Sequence, residues 1–389
     1  MNLKRPIASD LLPFQIALAV SSASVGGIIP LLGELRDIKG FSEMEIGIVV
    51  SAGFLGSFVA QIGLSRFADR GFGRQMVTAG MAVAAVSLLA MAFVDHLWLW
   101  VALRCLLGFS SGLVVPGVKR AAAVQDVDKV GENLGRLVVG DMSGFLLGPV
   151  VGAVLAQVFG FSAPFIVLAA LMFLFIPFAA RLPADRGALD ESGRKNSFDL
   201  LGIRRLQGAL ILVFGYFVLI GAWESVMPVM FADRGGSPVM IGIAFTLLGI
   251  PMILFSTLAG RTADRVGPPR VAAGALTVIA LSTMTYGFIK SIPILVAFQG
   301  VLGIADAFGF TAVQVAVSRA VPQDRQAAAL GLMGGVQVLG AGLFAFPAAA
   351  IYQQSGEETT WVVVGLFMLA LIAAGLMRLR GTQPAMATS

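Results

Sequence analysis

The sequence predicts an all-α membrane protein of twelve transmembrane helices in two six-helix bundles. Three observations carry that expectation. Of 389 residues, 57% are apolar and only 13% charged, with a mean hydropathy of +0.89, where a soluble domain carries about 25% charge. The apolar residues fall into blocks close to the ~20 residues that a helix needs to cross a hydrocarbon core. Short polar and glycine motifs of the first six blocks recur in the last six at an offset of about 195 residues, as two copies of one bundle would.

In order, the blocks are 11–33, 44–64, 75–94, 97–118, 134–157, 162–180, 207–230, 238–259, 270–289, 292–315, 327–351 and 361–379. All are far too long for the alternating strands of about ten residues that build membrane barrels. The first follows "MNLKRPIASD" and has the charge of a signal sequence, but it runs past 20 residues without a cleavage site and other blocks follow it, so it reads as a retained helix. The turn Asp95-His96 separates the third and fourth blocks. The longest polar interval, "RLPADRGALDESGRKNSFDLLGIRR" from Arg181, reads as a cytoplasmic linker with a short interfacial helix. The expected organisation is therefore a bundle over 1–180, a linker over 181–206 and a second bundle over 207–389.

Charge sets the expected topology. Of the 27 Lys and Arg residues, all but Arg36, Lys39, Arg104, Arg234 and Lys290 lie at one set of block ends. Cationic loops stay on the cytoplasmic side, so both termini and the linker are expected there. The same placement argues against nucleic-acid binding, because the charge of +5 is spread over short loops instead of one face. Function classes also fall away. The one cysteine, Cys105, sits inside a block and the one histidine, His96, in a turn. Neither a disulfide nor a cysteine-based metal site can be built, no cofactor set is visible, and an enzyme is not expected.

The loop after the second block reads Ser65-Arg66-Phe67-Ala68-Asp69-Arg70-Gly71-Phe72-Gly73-Arg74, and its counterpart Gly260-Arg261-Thr262-Ala263-Asp264-Arg265-Val266-Gly267. An acid just beyond a helix can accept from the exposed N–H groups of a neighbouring helix start, while the adjacent arginine pairs with another acid. The fifth block carries Gly135, Gly144, Gly148, Pro149 and Gly152, small residues that let helices approach and a proline that bends one. "RCLLGFSSG" at 104–112 is echoed by "QGVLGIADA" at 299–307, and Gly135 and Gly144 by Gly331 and Gly340.

These motifs resemble those of the major facilitator superfamily. The paired loops are similar to its signature between helices 2 and 3, a cytoplasmic latch, with Asp69, Arg70, Gly73 and Arg74 in the first copy and Asp264, Arg265 and Gly267 in the second. Ser65 departs from the leading glycine, Gly71-Phe72 adds a residue, and Pro268-Pro269 replace a basic pair. The fifth block resembles the helix 5 motif of drug:proton antiporters, and Arg104 with Gly108 matches an Arg-x3-Gly motif tied to proton transfer. The resemblance implies a proton-coupled exporter of a small amphipathic or drug-like solute working by alternating access in a bacterial inner membrane. The alternative is a proton-coupled uptake symporter for a small metabolite. Expected partners are the small-molecule substrate, protons and the lipid bilayer, with the chain acting as a monomer.

Charges inside the blocks are the coupling candidates, since a buried ion is costly without a role. Arg104, Gly108, Ser111 and Gly112 share a helical face, which suggests open space beside the arginine. Asp306 sits mid-block with no cation three or four residues away, on a stripe with Gln299, Gly303 and Phe310. Glu224 matches Arg104 in depth, unless Trp223 marks the interface and leaves Glu224 near water. Asp141 is expected to pair with Arg136. Gln15, Ser22, Ser111 and Gln314 complete the expected polar lining.

Overall fold

The computed structural model describes residues 12–125, 130–180 and 197–380. Within its helical stretches, the side chains of Ser65, Arg66, Asp69, 120–125, 130–135, Ser197, Asp324, Ala327 and Arg380 lie outside the described set. The regular structure of the described residues is helical: α1 Leu12–Gly26, α2 Leu32–Lys39, α3 Glu43–Phe67, α4 Gly73–Met91, α5 Leu97–Gln125, α6 Val130–Phe159, α7 Ala163–Ala179, α8 Arg204–Asp233, α9 Pro238–Val266, α10 Pro268–Thr283, α11 Ile292–Arg319 and α12 Gln326–Arg380. Nine described helical stretches are long and apolar enough to cross a membrane. The α-helix satisfies its own backbone groups, so apolar chain in lipid has little alternative.

Block and helix boundaries differ where a local feature intervenes. Pro30 lies in a 3-10 turn, Ile29–Leu31, that separates α1 from α2 inside the first block. The ninth block stops being helical at Thr283 and continues as turns. The last two blocks lie in one helical run, broken where Gly356 takes φ 77 and ψ 180, a conformation strained for any L side chain. Part of the expected linker helix is present as a 3-10 turn at Ser197–Gly202, while 181–196 lie outside the described residues. Ser42 and Glu45 start α3 with a capping box: Ser42 N donates to Glu45 Oε2 (2.7 Å) and Glu45 N to Ser42 Oγ (3.3 Å).

The chain forms two compact units. The first comprises Met1–Phe41, Ala52–Glu191 and Ser237–Ile243; the second comprises Ser42–Ser51, Ser192–Gly236 and Ala244–Ser389. Glycine crossings organise the first. A methyl placed on Gly140, Gly144, Gly148 or Gly152 of α6 would stand 2.6, 2.0, 2.7 and 2.2 Å from the carbonyl oxygens of Gln15, Ala19, Ala23 and Gly27. Both helices step by four residues, so the two run parallel with their backbones in contact. The other side of α6 exposes Leu147, Val151, Val154 and Val158, an apolar stripe suited to lipid.

The offset seen in the sequence recurs in the contacts. A methyl on Gly108 would lie 1.8 Å from Gly53 O, and one on Gly303 would lie 2.3 Å from Leu248 O. Gly144 faces Ala19 O as Gly340 faces Phe214 O, and Gly26 faces Phe145 O as Gly221 faces Ala341 O. In each pair of crossings both partners are displaced by 195 or 196 residues, so the repeat is one of packing as well as of residue type. Gly331 is the exception among the sequence echoes, because a methyl there would meet no atom of the described residues within 4 Å.

Candidate functional site

A buried polar group of the second unit is built on α11. Gln299, Gly303 and Asp306 share its buried face, with Gln299 0% and Asp306 4% exposed. Gly303 has no side chain, so Leu248 O and the Pro251 ring of α9 close directly on α11 between the two polar residues. Tyr216 of α8 faces Asp306, and its ring packs on Phe310 at 5.9 Å and Phe217 at 5.4 Å. The Tyr286 hydroxyl donates to Gln299 Oε1 at 3.3 Å. Among the described residues, Asp306 Oδ1 and Gln299 Nε2 have no hydrogen-bond partner. Such groups carry a desolvation cost of about 1–3 kcal/mol each unless something else meets them.

Sequence reasoning named Asp306 and Gln299 but missed Tyr216 and Tyr286. The signal was present, since a tyrosine in an apolar helix needs a partner for its hydroxyl and the chain has only three. Gln314 is exposed and leaves the buried stripe. Glu224 is 2% exposed and Trp223 4%. Every residue from Gly221 to Phe231 is buried, so the reading of Trp223 as an interfacial marker with Glu224 in water does not hold.

In the first unit Arg104 is 3% exposed, and the expectation of open space beside it needs correction. Gly108 and Gly112 are filled by α3: a methyl on Gly108 would strike Gly53 O and one on Gly112 the Ala60 Cβ at 2.6 Å. Room for the arginine comes from Gly53 instead, where a methyl would stand 3.0 Å from Arg104 Nε and 3.2 Å from its Cγ. Asp141 accepts a hydrogen bond from Ser22 Oγ, and Gln15 Nε2 donates to Arg136 O at 2.8 Å. Polar residues of α1 and α6 thus meet beside the glycine ladder, while Ser111 is half-buried on α5.

The repeated loops also differ from expectation. Asp264 lies within α9, not beyond it, and pairs with Arg319 of α11 at 2.6 Å. The acid therefore meets a guanidinium instead of a helix start. Both partners are more than half exposed, so the pair contributes about 0–1 kcal/mol. The reversal between α3 and α4 is made by Gly71 at φ 92, matched by Gly267 at φ 103, whereas Gly73 is helical at φ −52 and packs toward Gly117 O. Arg70 stacks over Phe67 at 5.5 Å and Arg265 is exposed. The Asp69 side chain and Gly135 lie outside the described residues.

The four cations of the charge-poor ends are all ion-paired. Arg36 meets Asp37 and Lys39 meets Asp95. Arg234 binds Glu357 at 2.8 Å, and Lys290 bridges Glu357 (2.6 Å) and Glu358 (2.7 Å). Hydrogen bonds to Glu357 and then Glu358 hold the Lys290 ammonium above the ordinary lysine range. A raised lysine stabilises fully below its unfolded value and loses that contribution as pH rises through the folded one. Amide exchange of the turn Gly287–Lys290, corrected for its intrinsic rate, should therefore stay protected to neutral pH and beyond, and loosen only in alkali.

Comparison with known proteins assigns the family. The model of the Major Facilitator Superfamily matches residues 15–232 and 208–389. The chain belongs to that superfamily. It is 28% identical over 303 residues to the multidrug resistance protein MdtG of Enterobacter lignolyticus (strain SCF1), covering 74% of this chain and 71% of the relative. It is 24% identical over 335 residues to the uncharacterized MFS-type transporter YuxJ of Bacillus subtilis (strain 168), covering 82% and 85%. The fold matches a bacterial homolog of the human lysosomal transporter Spinster in an inward-facing, occupied conformation, with a TM-score of 0.81, 13% identity and coverage of 98% and 100%. It also matches the nucleoside transporter NupG, with a TM-score of 0.74, 15% identity and coverage of 95% and 98%. Membership makes the chain a multi-pass secondary active transporter that works by alternating access, and not an enzyme.

Proposed function

We propose that this major facilitator protein couples movement of a small solute to protons, with Asp306 as the proton carrier. One observation carries the reading: a buried mid-helix carboxylate faced by Tyr216, with no ion pair and with Oδ1 unpartnered among the described residues. Such a group is costly when charged and comfortable when protonated. Arginine stays charged throughout, so Arg104 modulates the field and does not carry the proton. Glu224 and Asp141 are the alternative carriers. Twelve spans form the bundles 1–180 and 207–389, joined by 181–206, with termini and linker cytoplasmic. Asp69, Arg70, Gly73, Arg74, Asp264, Arg265 and Gly267 form the inner gate.

Coupled uptake of a small hydrogen-bonding metabolite fits the site best. Asp306 Oδ1 and Gln299 Nε2 offer one acceptor and one donor, directed groups that select a polar solute better than a bulky amphipathic one. Export of a drug-like solute is the second reading, favoured by likeness to multidrug resistance proteins at 28% identity. Proteoliposomes with an imposed inward proton gradient separate the two. With radiolabelled polar metabolites and ethidium as probes, uptake predicts gradient-driven accumulation of a metabolite; export predicts gradient-driven ethidium expulsion. Transport indifferent to the gradient and to a protonophore would reject proton coupling.

A further inference from the structure

The second unit holds a polar line from Asp306 toward one end of the molecule, and this inference rests on Asp306 taking the proton. Tyr286 lies in the turns after α10, buried, with its hydroxyl on Gln299. Its own carbonyl and that of Ile289 face Arg234, which with Glu357 and Lys290 forms the charged cluster of that end. Gln299 and Asp306 are two turns apart on α11, about 10 Å of rise. Between them polar chemistry continues although side chains do not. Gly303 is bare, and Pro251 lacks the N–H that Leu247 O would otherwise accept within α9. That oxygen faces Gly300, 3.9 Å from where a methyl would stand. Gln299 Nε2 and Asp306 Oδ1 are both buried and, among the described residues, unpartnered. Buried polar groups lacking protein partners are commonly met by internal water.

We propose that Tyr286, Gln299 and water held between Gln299 and Asp306 form a proton route through the second unit, from the Arg234–Glu357–Lys290 cluster to Asp306. In this route the Tyr286 hydroxyl turns from Gln299 Oε1 to bound water and gives that water its proton, while its oxygen takes a proton from water entering at the turn. The bound water passes a proton to Asp306 Oδ1, leaving neutral tyrosine and a neutral carboxylic acid. Gln299 exchanges no proton; its amide positions the water. Glu357, Glu358, Lys290 and Arg234 are the charged groups facing the mouth, and Tyr216 is the titratable group facing Asp306 from α8.

Time-resolved infrared spectroscopy on the reconstituted full chain, after flash release of a caged proton, tests this without a substrate. The protonated carboxyl band of Asp306 is assigned by its loss in Asp306→Asn. Tyr286→Phe keeps the ring packed on Trp361 (5.1 Å) and Phe298 (6.1 Å) and should delay the band by roughly tenfold or more, as should Gln299→Leu. If Tyr286→Phe fails to assemble, Gln299→Leu carries the same expectation. A band that rises at the wild-type rate in the assembled variants overturns the route while leaving Asp306 as carrier. A wild-type protein with no such band at any pH overturns the carrier assignment and the route with it.

Discussion

Gly144→Leu is expected to abolish accumulation of folded protein in the membrane, and Gly144→Ala to destabilise it by about 2 kcal/mol or more. A methyl at that position would stand 2.0 Å from Ala19 O and 2.6 Å from Ala19 C, both backbone atoms that cannot rotate away. Relief therefore requires α1 and α6 to separate. Because the same two helices also touch at Gly140, Gly148 and Gly152, separation loosens contacts along the whole ladder. Overpacking a tight contact costs about 1–3 kcal/mol, and membrane helices without close packing have little else to hold them together. Gly274→Ala is the control: a methyl there meets no atom of the described residues within 4 Å, and alanine removes a helix penalty of about 0.5–1 kcal/mol. Thermal unfolding followed by size-exclusion in detergent reads both. A Gly144→Leu protein with a wild-type midpoint would show that the ladder does not bind α1 to α6.

Much of this architecture was legible because membranes simplify the code. The apolar blocks became helices, and the offset of 195 that linked Gly108 to Gly303 in the sequence reappeared as the same backbone crossing in space. The ladder was legible too, in the spacing Gly140, Gly144, Gly148, Gly152, though the motif reading drew attention to Gly135 and passed over Gly140. What was illegible depended on partners from distant segments. Whether Gly108 leaves a gap or is filled depends on α3, and no property of α5 says that Gly53 will supply the carbonyl. The reversal glycine was likewise ambiguous between Gly71 and Gly73 until φ separated them.

The candidate site divides in the same way. An acid in the middle of an apolar block declares itself through its cost, so Asp306 and Gln299 were found. Tyr216 and Tyr286 lie 90 and 20 residues before Asp306 in sequence numbering, and only the packing of α8 and the α10–α11 turn onto α11 brings their hydroxyls to Asp306 and Gln299. Asp264 shows the opposite case. Its residue type was read correctly as a partner-seeking acid, but the partner is Arg319 and not a helix start, because α9 continues through Asp264 to Val266.

Asp306→Asn is expected to remove gradient-driven accumulation by a factor of about 100 or more while leaving downhill exchange measurable. Asparagine keeps the size of the carboxylate and an accepting oxygen, so the packing of Tyr216 on Phe310 and Phe217 should survive. It cannot titrate. In the wild type, protonation discharges a buried group that would otherwise oppose the rearrangement between access states; in the variant the group is permanently neutral, and the rearrangement no longer requires a proton. Solute can then cross in either state of the gradient, but the gradient cannot bias it. The outcome is a facilitator in place of a pump. In proteoliposomes this predicts counterflow close to wild type, with loss of both protonophore sensitivity and solute-driven proton movement. Arg104→Lys, which keeps the cation, should retain coupling. If Asp306→Asn instead moves protons with near-normal stoichiometry, the carrier is elsewhere, and Glu224→Gln and Asp141→Asn become the variants whose loss of coupling would locate it.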